Sequence, residues 1–205
     1  MKVTIFGATG RVGNEVLQCA LAEGHEVKVL IRSLDKLPVH PNLQKIKGDV
    51  KNFEDTVQAI EQADAVISAI GTDKTTTLSD GVPNIIRAME QLNVKRIVTI
   101  GTAGILDSRA ERGKLRFQSS ESKRKLTFAA EEHAKAFRAL EASDLDWTIA
   151  CPTYLPDGSA IGVYRTERNM LPLNGEKITV GDTAHFVYKE LFQSEFKHSR
   201  VGLAY

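Results

Sequence analysis

The stretch Lys2-Val3-Thr4-Ile5-Phe6-Gly7-Ala8-Thr9-Gly10-Arg11-Val12-Gly13 decides the fold. A short apolar strand runs directly into glycines spaced G-x-x-G-x-x-G, and the turn runs into a helix with an apolar face of Val12, Val16, Leu17, Ala20 and Leu21. The first glycine permits the tight turn, the second lets backbone approach a pyrophosphate, and the third lets helix pack closely on strand. The free N–H groups at the helix start then face the phosphates, where their partial positive charge is worth most. Gly7, Thr9, Gly10, Arg11, Val12 and Gly13 are therefore the expected phosphate cradle.

Gly24 ends this helix and Glu26–Ile31 forms a second strand, completing a βαβ unit with a right-handed crossover. NAD-preferring sites place a carboxylate at the end of that strand for the ribose 2′-hydroxyl, whereas a basic residue accommodates the 2′-phosphate of NADP. Here the strand ends in Arg32, and Arg11 lies within reach in the turn. This points to NADP(H) in preference to NAD(H). The competing reading makes Arg32 one more solvated surface residue.

A chain of 205 residues suffices for one domain with a full core and is short for two. With 42% hydrophobic residues, 26% charged residues and a formal net charge of +1, it has no global electrostatic case for nucleic acid or membrane binding. No apolar run approaches the roughly 20 residues that span a bilayer, and the early glycines interrupt any signal-like stretch. Cys19 and Cys151 lack metal-like spacing and read as small buried apolar groups in a reducing compartment, so the cytoplasm is expected. A monomer or weak homo-oligomer is expected, with a small molecule as its partner.

Strands and helices alternate after Arg32: strand 43–47, helix 53–61, strand 65–69, helix 78–92, strand 96–100, helix 127–142 and strand 147–150. Nearly continuous apolar strands covered by helices on both faces give an α/β, Rossmann-type doubly wound, mostly parallel sheet in a single NAD(P)-binding domain spanning residues 1–205. The part from about 152 to 205, with a helix 183–192 that Asp182 is placed to cap, completes the substrate side. The segment 107–125 breaks the rhythm with seven Lys and Arg against three acidic residues. It reads either as a cationic flap over an anionic ligand or as a solvated loop.

In open α/β sheets the ligand lies beyond the carboxyl ends of the strands. Those ends carry Gly48-Asp49-Val50, where Asp49 is placed to accept from an adenine amino group and Val50 to cover its face, then Ala69-Ile70-Gly71, Gly101-Thr102 and Cys151-Pro152-Thr153-Tyr154. Their convergence outweighs any one of them.

These residues resemble a family, the atypical short-chain dehydrogenase/reductases, in the branch of biliverdin reductase B and flavin reductase-like proteins. The resemblance rests on G-A-T-G-R-V-G at 7–13, V-L-I-R at 29–32, G-D-V at 48–50, D-A-V-I-S-A-I-G at 64–71, G-V-P-N-I-I-R-A-M at 81–89 and S-D-L-D-W-T-I-A-C-P at 143–152. It implies an NADPH-dependent reductase of flavins or similar flat acceptors such as biliverdin or a quinone. The glycine and G-D-V motifs are shared with NmrA-like relatives, which makes an NADP(H)-binding redox sensor with little turnover the alternative. A sugar-nucleotide epimerase relative is disfavoured by the small C-terminal region.

Family members that reduce carbonyls use a Tyr-x-x-x-Lys pair on the long helix after the fifth strand. In this register Ala129 stands in the tyrosine position and His133 in the lysine position. Carbonyl reduction needs a proton donor at the developing alkoxide, whereas flavin reduction is mainly positioning. The remaining candidates are Thr102, which orients a nicotinamide or caps the strand end, Tyr154, which stacks on or protonates an acceptor or fills core, and His133, catalytic or structural. No cluster with metal-ligand spacing is present in the sequence.

Overall fold

The computed structural model describes residues 1–72, 74–122 and 125–205. Eight strands form one sheet: β1 (Lys2–Phe6), β2 (Glu26–Ile31), β3 (Leu43–Lys47), β4 (Ala65–Ser68), β5 (Arg96–Ile100), β6 (Asp146–Pro152), β7 (Arg165–Arg168) and β8 (Ser199–Ala204). Five helices connect them: α1 (Arg11–Ala22), α2 (Phe53–Ile60), α3 (Thr77–Gln91), α4 (Phe128–Glu141) and α5 (Val180–Gln193).

The strand order is β3-β2-β1-β4-β5-β6-β8-β7. Every pairing is parallel except β7 with β8. This is the doubly wound Rossmann-type arrangement that the sequence predicts. From β1 the chain winds outward through β2 and β3, then returns to place β4 on the other side of β1. The strand order therefore reverses between β1 and β4, where such folds open a ligand crevice.

Parallel strands covered on both faces need apolar residues at every position. β1 (after Lys2), β4 and β8 are buried throughout. α1 and α5 pack with Val3, Ile5, Val29 and Val201 on one face. α2, α3 and α4 pack with Phe6, Val66, Ile97 and Ile149 on the other. No helix among the described residues is long and apolar enough to cross a membrane.

Three local features depart from the sequence reading. β7 is an added edge strand whose residues, Arg-Thr-Glu-Arg, carry no apolar signal. α5 begins three residues earlier than expected, because Thr179 and not Asp182 is its cap: the Thr179 side chain accepts from the Asp182 N–H. Asp182 instead sits buried in the first turn and accepts from the N–H groups of Ile161 and Gly162 and from the Tyr205 hydroxyl. It thereby ties the segment after β6 and residue Tyr205 to α5. Third, the segment 107–122 is tied down by several pairings. Arg109 pairs with Glu167, Lys114 with Glu111, Asp107 with Arg200, and Arg116 N–H closes on Leu106 O. Lys123 and Arg124, part of the same basic segment, lie outside the described residues.

At the amino edge of the sheet a buried ion pair joins Arg96 to Glu190, 2.9 Å apart. Thr148 and the Phe196 N–H also donate to that carboxylate. Removing one partner would strand a buried charge. The pair thus locks the end of α5 to β5 and β6, opposite the edge where the strand termini converge.

Candidate functional site

Two clefts lie side by side along the carboxyl edge of the sheet. The first, about 220 Å³, is a groove over the ends of β1, β2, β3 and β4. Gly7, Thr9, Gly10, Arg32, Asp49, Val50, Ala69, Ile70 and Gly71 line it, nine of the residues expected at a nucleotide site. Phe6, Leu30, Ile31, Gly48 and Thr77 complete the wall.

The turn that shapes the groove is made of bare backbone. Gly7 has φ +78°, and a Cβ there would stand 2.4 Å from the Ala69 carbonyl oxygen. A Cβ on Gly13 would stand 2.2 Å from Gly7 O. Gly10 differs: its φ is ordinary, and a Cβ would meet only Gly7 O at 3.2 Å within close range. It is the N-cap of α1 and provides no side-chain cap. The first N–H groups of that helix are consequently left to an anion in the groove, which fits a dinucleotide pyrophosphate.

The loop after β3 is braced from two helices. The Asp49 N–H donates to Asp55, and Val50 O accepts from Thr56 and Asn84. Gly81 in α3 lies so close that its Cβ would meet Val50 Cγ1 at 2.7 Å. Val50 is therefore fixed as a wall, while among the described residues the Asp49 carboxylate accepts only from the Lys51 N–H. Arg32 is exposed at the rim, with no partner for its guanidinium among the described residues. Arg11 does not line the groove. Its guanidinium donates to Leu155 O (3.0 Å) and to Asp157 (2.8 Å), joining the glycine turn to the segment after β6. Val12 is buried behind the turn.

The second cleft, about 540 Å³, lies over the ends of β5 and β6. Thr102, Pro152, Thr153 and Tyr154 line it, joined by Ala103, Gly104, Arg116, Phe117, Glu121, Leu126, Thr127, Ala129, Ala130 and Glu176. Thr102 caps the short turn after β5 by accepting from the Gly104 N–H. The Thr153 hydroxyl is buried without a hydrogen-bond partner among the described residues. Tyr154 is 65% exposed at the mouth, which excludes a core-packing role. Ala129 faces the cleft, whereas His133, one turn along α4, lines neither cleft. Burial pushes the His133 imidazole down to about 4, with the Glu132 carboxylate opposing that shift. Burial likewise pushes the Cys151 thiol up to about 12, which leaves it an inert part of the core.

Of the expected cradle, Gly7, Thr9 and Gly10 line the groove, whereas Arg11, Val12 and Gly13 do not. In the second cleft Thr102, Pro152, Thr153 and Tyr154 were named from the sequence, but Arg116, Phe117, Leu126 and Glu176 were not, because they come from separate segments brought together only by the fold.

Residues 7–194 match the model of a family described as NAD(P)H-binding. A Bacillus subtilis protein described as the uncharacterized protein YwnB is 26% identical over 98% of this chain and 96% of its own length. A Streptococcus pneumoniae protein described as a candidate NADH-flavin reductase superposes with a TM-score of 0.82, at 26% identity over 100% of this chain and 99% of its own. ChuY, described as an anaerobilin reductase from Escherichia coli O157:H7, shares the fold with a TM-score of 0.81 at 24% identity, over 100% of this chain and 97% of its own.

Two outcomes follow from this geometry. Gly10→Val fills the groove where backbone now lies bare, and should abolish NADPH binding while the protein stays folded. Gly13→Ala instead drives a methyl into Gly7 O and should lower stability in urea titrations. The second outcome concerns pH. The folded His133 stays neutral well below its unfolded value near 6.5, so the stability it supports is present above that value and lost as pH falls toward about 4. Denaturant titrations should show a loss on the order of 1–2 kcal/mol between pH 7 and pH 5, which His133→Gln should abolish.

Proposed function

The chain belongs to the NAD(P)H-binding family, and from that membership we propose that it is an NADPH-dependent reductase passing a hydride to a flavin or a similarly flat acceptor, such as a biliverdin or a quinone. The observation that carries this reading is the pair of adjoining clefts, the larger of which has no Tyr–Lys proton-donating pair among the described residues that line it. The likeness to the Streptococcus pneumoniae candidate flavin reductase, across the whole chain, supports it.

When bound, a reduced nicotinamide supplies hydride to the acceptor, and an acceptor whose ring delocalises the added charge takes its proton from water. The protein's part is then to bind and orient. On this reading Gly7, Thr9, Gly10, Val12 and Gly13 seat the pyrophosphate at the start of α1. Arg32 meets the 2′-phosphate, Asp49 and Val50 hold the adenine, and Ala69, Ile70 and Gly71 let the cofactor pass toward β5. Thr102, Pro152 and Thr153 flank the nicotinamide, and Tyr154 covers the acceptor. Arg11 acts through the segment it holds.

The lack of an acid pair in the cleft also suits an NADP(H)-binding sensor with little turnover. NADPH oxidation assayed against FMN, riboflavin, quinones and biliverdin separates the two. Tight NADPH binding with background rates for all four acceptors would favour the sensor.

Cofactor choice is testable by titration of NADPH and NADH. Arg32→Ala should weaken NADPH binding about tenfold, the worth of one charge-assisted contact, and leave NADH little changed. Arg11→Ala should alter the ratio by less than about twofold, since its donors already serve Leu155 and Asp157. Equal affinities of the unaltered protein for the two nucleotides would overturn the preference.

Turnover tests the proton source. At saturating NADPH, Tyr154→Phe and His133→Ala should each retain substantial rate, while Thr102→Val shows an intermediate loss through misorientation. A necessary general acid contributes about 10²–10⁴-fold. A loss of that size in either of the first two variants, at unchanged cofactor affinity, would point instead to a protein proton donor.

A further inference from the structure

The larger cleft has a second branch. A cavity of about 200 Å³ adjoins it and shares Arg116, Glu121, Leu171, Gly175 and Glu176 as a common wall. The charged groups of this branch are not equivalent. Asp107 is neutralised by Arg200 at 2.7 Å, and Arg109 by Glu167 and the Leu171 carbonyl. Glu121 is held as a fixed post by the Ser108 hydroxyl and by the N–H groups of Arg109 and Ala110. Arg116, although ion-paired with Glu121, is the one described charged group of this branch with donors to spare. Its Nε lies 3.8 Å from Glu121, beyond hydrogen-bond reach, and its two terminal nitrogens have no hydrogen-bond partner among the described residues. Its backbone is fixed by bonds to Leu106 O and from Ser119, so only the side chain is left to adapt. Glu176, also in the shared wall, is exposed, and its repulsion of an anion is weakened by water and salt.

A guanidinium with a free fork, set between a wide cleft and a narrow side branch, suits bidentate recognition of a carboxylate or phosphate. We infer that Arg116 reads an anionic tail on the acceptor, with the flat ring in the larger cleft and the tail in the branch. This rests on the reductase reading and narrows its substrate class to acceptors carrying a phosphate or carboxylate side arm.

The test is equilibrium binding in saturating NADP⁺, so that it is read even without turnover. Two matched pairs differ only in the tail: FMN against riboflavin, and biliverdin against its dimethyl ester. The unaltered protein should favour the charged member of at least one pair about tenfold. Arg116→Ala should bring that ratio close to one, and Arg116→Lys should keep part of it. Discrimination confined to the flavin pair identifies a phosphate tail, and discrimination confined to the tetrapyrrole pair identifies carboxylates. Thermal unfolding reports whether Arg116→Ala is folded. If it is not, Arg116→Gln takes its place. Equal binding within both pairs, or a ratio that survives loss of the guanidinium, overturns the inference. Retained discrimination without NADPH oxidation would instead reject the reductase reading and leave the anion subsite standing.

Discussion

The rest of the structure depends on one close approach of bare backbone. Around Gly7, Ala69 and Gly13, the exits of β1 and β4 and the first turn of α1 touch with no side chain between them, since added methyls would stand 2.4 and 2.2 Å from carbonyl oxygens. Glycine in an ordered turn carries an entropic cost of roughly 0.5–1 kcal/mol relative to alanine. Here that cost is offset by the burial it permits: Val16, Leu17 and Ala20 of α1 are wholly inaccessible to water. The same contact holds the helix start over the gap where strand order reverses. Packing and anion binding thus follow from one constraint, and the groove cannot be relaxed without moving the core.

Charge is distributed around this frame with a consistent logic. At the amino edge the Arg96–Glu190 pair is buried and hydrogen-bonded to β6 and the end of α5, so it specifies how α5 meets the sheet. At the carboxyl edge most cations are also committed. Arg11 serves Leu155 and Asp157, Arg109 serves Glu167, and Arg200 serves Asp107. Among the described residues that line the two clefts, Arg32 at the far rim of the groove and Arg116 in the wall of the larger cleft, 3.8 Å from Glu121, have guanidinium donors with no hydrogen-bond partner. A net charge of +1 therefore conceals a local arrangement in which guanidinium donors flank the two clefts.

The sheet was readable from the sequence because parallel strands buried on both faces leave nearly continuous apolar runs, as in Val29–Ile31 and Ala65–Ile67. The groove was readable because glycine spacing is a direct record of backbone contact. β7 was not, since an edge strand needs to satisfy only one neighbour and tolerates Arg-Thr-Glu-Arg. The start of α5 was misplaced because Asp and Thr are both good caps, and only the fold decides that Asp182 is needed by Ile161, Gly162 and Tyr205. Arg11 shows the limit of proximity in sequence: its position in the turn suggests the cofactor phosphate, while its side chain reaches residues 144 and 146 positions away. The basic segment had no periodicity to read, and its packing depends on pairings such as Arg109 with Glu167 that no local pattern contains.

The composition of the larger cleft bears on the chemistry in a way that the missing acid alone does not. Ala129, which the sequence register sets in the tyrosine position of carbonyl-reducing family members, lines the cleft. Gly104 lies so near α4 that a Cβ would meet that of Ala130 at 3.2 Å, which brings the helix close to the turn after β5. A tyrosine at 129 would therefore project into the space that now forms the cleft. An alanine at this position provides no proton donor and leaves that volume open. The two consequences favour the same kind of acceptor: a broad ring that fills the freed space is also one that spreads negative charge and does not need a proton delivered by the protein. On the reading proposed above, loss of the acid and gain of room are one adaptation, and specificity passes from the proton donor to the walls of the cleft.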